Sequence, residues 1–146
     1  MLFKKKPLFQ ASSHTHLSTI LQHYHDSGQY EEDMASATRQ AQAYVKSLPA
    51  PTGKEGFVFD IDETCLSNWQ AIDLYHDYDA AKWDAWTQAG KAPALAPTLA
   101  LYKAVRERGF LTFFITGRTT TQADVTIRNL SAIGYDAWEQ GFFYPA

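Results

Sequence analysis

Phe57-Val58-Phe59-Asp60-Ile61-Asp62-Glu63-Thr64 is the stretch that decides how this chain folds. Three β-prone apolar residues run straight into acids. A run so short and so uniformly apolar reads as a buried strand of a parallel sheet, whose strands are covered on both faces. Phe110-Leu111-Thr112-Phe113-Phe114-Ile115 repeats the pattern and stops at Thr116-Gly117-Arg118. Phe142-Phe143-Tyr144 begins a third such run. Between the last two, residues 120–133 read as a helix closed by Gly134. Before the second, residues 98–108 put Leu99, Tyr102 and Val105 on one helical face, with Gly109 as the stop. Strand, helix, strand, helix, strand implies parallel strands joined by right-handed crossovers, an α/β fold.

Working outward, two helices precede the first strand. Leu17, Ile20, Leu21 and Tyr24 fall at i, i+3, i+4 and i+7, and Asp26-Ser27-Gly28 ends that helix with Gly28 as a left-handed cap. A second helix is expected from about 31 to 48, with Met34, Ala37, Ala41, Tyr44, Val45 and Leu48 on its apolar side. Pro49-Ala50-Pro51-Thr52-Gly53 breaks it. Residues 1–13 read as a flexible tail. Residues 14–146 read as one domain, in which 14–48 are the N-terminal helices and 67–97 a small helical insert after the first strand.

Composition narrows the function. With 146 residues, 45% hydrophobic and 20% charged, the chain is ordinary for a folded domain. Net charge is −3 and the one basic run is Lys4-Lys5-Lys6, which gives no ground for nucleic-acid binding. No apolar run approaches the roughly 18 residues of a membrane span. Cys65 is the single cysteine, so an intrachain disulfide is excluded. The charged opening resembles the front of a signal peptide, but Gln10 to His16 is polar, so no export signal is expected in the chain as written.

In an open parallel sheet, ligands bind beyond the carboxyl ends of the strands. Both long apolar runs end there in reactive residue types. If the extended backbone persists, Asp60 and Asp62 share one side and Ile61 points away. Two carboxylates so close need a cation or a shared proton. Mg²⁺ suits them, because it takes oxygen ligands and keeps waters. One carboxylate could then attack phosphorus while the other protonates the leaving oxygen. Thr116 could bind a phosphate oxygen through its hydroxyl and neighbouring amides, and Arg118 could add a charge-assisted contact.

Asp60-Ile61-Asp62-Glu63-Thr64 after an apolar strand resembles the first motif of the haloacid dehalogenase (HAD) superfamily, and Phe113-Phe114-Ile115-Thr116-Gly117-Arg118 resembles its second. With Leu66-Ser67-Asn68, Trp83, Trp86 and the lead-in Tyr24-His25-Asp26-Ser27-Gly28-Gln29-Tyr30, the pattern is similar to the acid phosphatases of subfamily IIIB. These comprise the bacterial class B-like and lipoprotein enzymes and the plant vegetative storage proteins. The resemblance covers roughly residues 17–144. It implies a Rossmann-like three-layer core. Asp60 would form an aspartyl-phosphate, and Asp62 would serve as acid and then base. Thr116, Gly117 and Arg118 would bind substrate. Mg²⁺ would sit on the Asp60 carboxylate and the Asp62 backbone carbonyl, and the partner would be a small phosphorylated substrate. Members are often periplasmic, secreted or lipoproteins.

One departure is large. The family's later lysine and its late acidic motif have no counterpart between Gly117 and Ala146, where there is no lysine and the acids are Asp124, Asp136 and Glu139. The expectation is therefore an incomplete core, inactive or incomplete as an enzyme as written, with the first strand at an open sheet edge and self-association through that edge.

Plainer roles stand beside these. Asp60 and Asp62 could be a solvated turn, Thr116 a helix N-cap, Arg118 a surface residue. Glu63 reads as solvated and Cys65 as packing. The pairs His14/His16 and His23/His25 cannot face one another in a helix and read as surface residues. His76 could touch substrate. Trp83 and Trp86, one helical turn apart, could pack a core or stack on substrate. A glycosyltransferase DxD site is opposed by the Thr after the acids and by the Thr-Gly-Arg end of the second run. A storage or binding protein on the same scaffold remains the non-enzymatic reading.

Overall fold

A computed structural model describes residues 11–72 and 78–145. Helices α1 (Ala11–Asp26) and α2 (Gln29–Ser47) form a hairpin around Gly28, whose φ of 81° is the left-handed conformation expected of it. Strand β1 (Gly56–Asp60) follows. After it come α3 (Ala80–Ala89), α4 (Ala96–Glu107), β2 (Leu111–Thr119), α5 (Ala123–Ala132) and β3 (Gln140–Tyr144). The strands form a three-stranded sheet in the order β1-β2-β3, parallel throughout. The α/β class and the parallel crossovers are those read from the sequence. The Lys4-Lys5-Lys6 run, most of the expected tail and His76 lie outside the described residues.

Burial along the strands shows which face is covered. Thr112, Phe114, Thr116 and Arg118 of β2 are buried, as is Phe59 of β1. Val58, Ile115 and Phe142 alternate with them on the other face and are 63%, 52% and 49% exposed. Thus the helices cover one face, and among the described residues none covers the opposite one.

The covered face holds the core. Tyr102 of α4 stacks on Phe114, and both meet Tyr135 edge-on, at centroid distances of 5.0 to 5.9 Å. Phe59 closes the cluster from β1. Arg108 donates to the carbonyls of Lys46 and Leu48 at 2.8 and 2.6 Å. This satisfies orphan acceptors at the end of α2 and fixes the helical hairpin to α4. At the start of β3, Glu139 accepts from the Thr112 amide and pairs with Arg106 at 2.8 Å.

Two local boundaries differ from the sequence reading. β2 does not stop at Ile115 but continues through Thr119, with an irregular register against β3 between Ile115 and Thr119. β1 does stop at Asp60. The chain then winds into a tight turn in which the carbonyl of Ile61 accepts from the amides of Thr64, Cys65 and Leu66. Glu63 supports this turn with a φ of 54°, rare for a residue with a side chain.

Candidate active site

β1 and β2 are paired so that Asp60 lies opposite Ile115, which brings the ends of both motifs to one sheet edge. Beyond that edge lies a cleft of about 470 Å³. Asp60, Asp62, Gly117, Arg118, Thr119 and Gln122 line its floor and one side, and Tyr78, Ala80, Trp83 and Asp84 line the other. Both acids named from the sequence therefore meet in one cavity. They do so across a turn, not along an extended strand.

Their surroundings differ sharply. Asp60 is exposed, and its Oδ2 accepts from the Thr64 hydroxyl at 3.0 Å. Asp62 is held by three neighbouring side chains, with one side open to the cleft. Arg118 Nε reaches its two oxygens at 3.0 and 3.2 Å, and Arg118 NH2 reaches Oδ1 at 2.7 Å. Asn68 Nδ2 donates to Oδ1 at 2.9 Å, and the Thr116 hydroxyl donates to Oδ2 at 3.1 Å. The exposed carboxylate suits attack on an incoming group. The clamped one suits a group whose position must not drift.

Arg118 takes a place other than the one expected. Its side chain is 2% exposed and points into the covered side of the sheet, where NH1 also donates to Thr126 at 3.1 Å. The guanidinium grips Asp62 at the floor of the cleft. The reason is strand parity: with β2 continuing past Ile115, Arg118 faces the same way as Phe114 and Thr116. Thr116 is buried too, its Oγ1 also accepting from the Arg118 amide at 3.0 Å. Gly117, on the opposite parity, is exposed at the cleft.

The insert contributes more than the sequence suggested. Trp83 lines the cleft, whereas Trp86 packs against the core and donates from Nε1 to Asn68 Oδ1 at 2.9 Å. Glu63, expected to be solvated, accepts from the Asn68 amide and, at 3.2 Å, from the Tyr30 hydroxyl. Burial, followed by the charge of Glu63, pushes the Tyr30 phenol up to about 12. His25 is not a bare surface residue: its ring lies 3.9 Å from that of Trp69, nearly parallel, and ties α1 to the insert. Cys65 is fully buried, and burial pushes its thiol to about 12, which suits a packing residue.

A hard, oxygen-seeking divalent ion fits the donor type available at Asp60. Among the described residues, no three His, Cys, Asp or Glu side chains converge to hold one. The Asp62 carboxylate has its oxygens committed to Arg118, Thr116 and Asn68 and is not a free ligand; the family resemblance implies its backbone carbonyl for that role.

Comparison with known proteins fits this geometry. The family model for HAD superfamily subfamily IIIB acid phosphatases matches residues 10–145. The chain belongs to that family. It is similar to acid phosphatase 1 of Solanum lycopersicum, 34% identical over 119 residues, 76% of this chain and 46% of that protein. It is also similar to vegetative storage protein 1 of Arabidopsis thaliana, 30% identical over 129 residues, 82% of this chain and 46% of that protein. Among solved structures, the class C acid phosphatase from Bacillus anthracis superposes with a TM-score of 0.78 at 26% identity, over 90% of this chain and 59% of the other. The chain spans about half the length of the curated relatives it matches. No helix among the described residues of this family member is long and apolar enough to cross a membrane.

Proposed function

We propose that this site hydrolyses phosphomonoesters through a phosphoryl group carried transiently on Asp60. The observation that supports it most is the contrast between an exposed Asp60 and a clamped Asp62 at one cleft. An oxygen of Asp60 attacks phosphorus and the bond to the leaving oxygen breaks. Asp62 gives that oxygen its proton. Asp62 then takes a proton from water, the water oxygen attacks phosphorus, and phosphate leaves with Asp60 restored. Thr116 supports the second of these roles. Its hydroxyl donates to Asp62 Oδ2, beside the Arg118 Nε that reaches the same oxygen, and so helps to hold the acid in place. Tyr78 and Trp83 on the cleft wall suit a small substrate with a flat leaving group.

Charge sets a requirement. The cleft is lined by three carboxylates, Asp60, Asp62 and Asp84, and by one guanidinium, Arg118, which is already committed. A phosphate dianion is repelled by that balance. Bound Mg²⁺ would neutralise part of the charge and draw the phosphoryl group toward Asp60. With no free cationic side chain among the described residues lining the cleft, the isolated 146-residue chain is expected to turn over slowly even with the metal.

The similarity to a vegetative storage protein favours a second reading, a non-catalytic protein on the same scaffold. Phosphate release from p-nitrophenyl phosphate, with Mg²⁺ and then with EDTA, separates the two. Metal-dependent release that vanishes in Asp60→Asn supports the enzyme. Binding of phosphate without any release supports the storage reading.

A further inference from the structure

Helix α3 enters the site twice. Trp83 reaches the cleft wall, and Trp86, one turn on, reaches the back of the cleft floor. There it meets Asn68, which is 1% exposed and touches Asp62 directly. The amide of Asn68 has a forced orientation. Indole and guanidinium N–H groups donate and never accept, so the amide oxygen must face Trp86 Nε1 at 2.9 Å and Arg118 NH2 at 3.4 Å. Its NH2 group is thereby turned to Asp62 Oδ1, at 2.9 Å. The backbone is fixed as well, because the Asn68 amide donates to Glu63, the residue that carries the left-handed turn after Asp62.

We propose that Asn68 and Trp86 are positioning residues for Asp62, through which the helical insert sets the orientation of the acid/base group. The kinetic side of this proposal rests on the phosphatase reading above; the structural side does not. Trp86 acts by holding the Asn68 oxygen away from Asp62. Without its N–H, the amide oxygen keeps only the longer Arg118 contact, and the orientation rests on that and on the amide's own hydrogen bond to Asp62. The flipped form would set oxygen against carboxylate and remove a donor from Asp62. An asparagine serving only to fill space would not need an indole N–H to stay in place.

Trp86→Phe keeps an aromatic ring for packing and removes the donor. In this variant we expect kcat for an alkyl phosphate to fall about 5- to 30-fold, the scale of one or two lost hydrogen bonds. KM should stay within about twofold, as for an interaction that matters only in the reaction step. An activated aryl phosphate should lose less, because its leaving oxygen needs little protonation. A second readout is independent of turnover: the side-chain amide protons of Asn68, followed by NMR hydrogen exchange. They should be protected in the parent protein and lose protection in Trp86→Phe. Asn68→Ser, a smaller residue still able to donate, checks that any kinetic change does not come from misfolding, and should retain more activity than Asn68→Ala. Unchanged Asn68 protection in Trp86→Phe overturns the proposal. So does equal loss of rate across the leaving-group series. Absence of turnover in the parent protein would count against the phosphatase reading alone, and the exchange measurement would still decide whether Trp86 holds Asn68.

Discussion

Arg118→Met probes the tightest part of the site. The wild-type side chain is 2% exposed, and its partner Asp62 is 26% exposed. Three N–H···O contacts to Asp62, at 2.7 to 3.2 Å, and one to Thr126 at 3.1 Å are lost together. Removing one member of a buried pair costs about 3–5 kcal/mol, since the other charge is left without its partner. Water can reach Asp62 through the cleft, so the lower end applies, about 3 kcal/mol. In a chain of this size that corresponds to a fall in Tm of roughly 6–12 °C. Arg118→Lys should recover only part of the loss, because an ammonium keeps the charge but not the planar fork. Urea unfolding of Arg118→Met, Asp62→Asn and the double variant gives the coupling directly. A coupling above about 1.5 kcal/mol is expected, and strict additivity within about 0.5 kcal/mol would refute the clamp.

Other outcomes follow from the same geometry. Asp62→Asn should slow poor leaving groups most in the first step, and a flat response across a leaving-group series would count against its acid role. The folded state holds the Tyr30 proton up to about 12 against an ordinary 10.0, and the Cys65 proton up to about 12 against 9.0. Both contributions are fully present below the ordinary values and are lost as pH rises through the folded ones. Stability should therefore fall above about pH 9, and less steeply in Tyr30→Phe, as chemical denaturation across that range would show. Cys65 should resist alkylating reagents in the folded protein and react once it is unfolded. The exposed row Val58, Ile115 and Phe142, with β1 at the edge of the three-stranded sheet, should make the purified chain self-associate and bind a hydrophobic dye. Val58→Lys should weaken both effects, and a monodisperse, dye-free parent chain would contradict this.

The strands and the acids at their ends were legible because burial and alternation write themselves into short apolar runs. Asp60, Asp62 and Thr116 follow from two such runs ending at one edge. The inward turn of Arg118 was not read from the sequence, although a signal existed. Thr112, Phe114, Thr116 and Arg118 are evenly spaced by two, and a strand continuing past Ile115 must turn Arg118 inward with the others. Glu63 and Asn68 left no such signal. Their roles depend on a turn in which a non-glycine residue adopts a left-handed conformation, and nothing in residues 61–68 predicts that local path. Trp83 and Trp86 share a helical face by spacing, so sequence alone could not show that one lines the cleft while the other reaches behind it.

The central claim is that Asp60 carries the phosphoryl group, and beryllofluoride tests it without requiring turnover. This reagent forms a tetrahedral adduct on an aspartate held ready for phosphorylation. Fluorine NMR of the chain with Mg²⁺ and beryllofluoride should show bound resonances that EDTA abolishes. They should disappear in Asp60→Asn and persist in Asp62→Asn. Bound resonances that survive Asp60→Asn, or their complete absence from the parent protein at saturating Mg²⁺, would contradict the account.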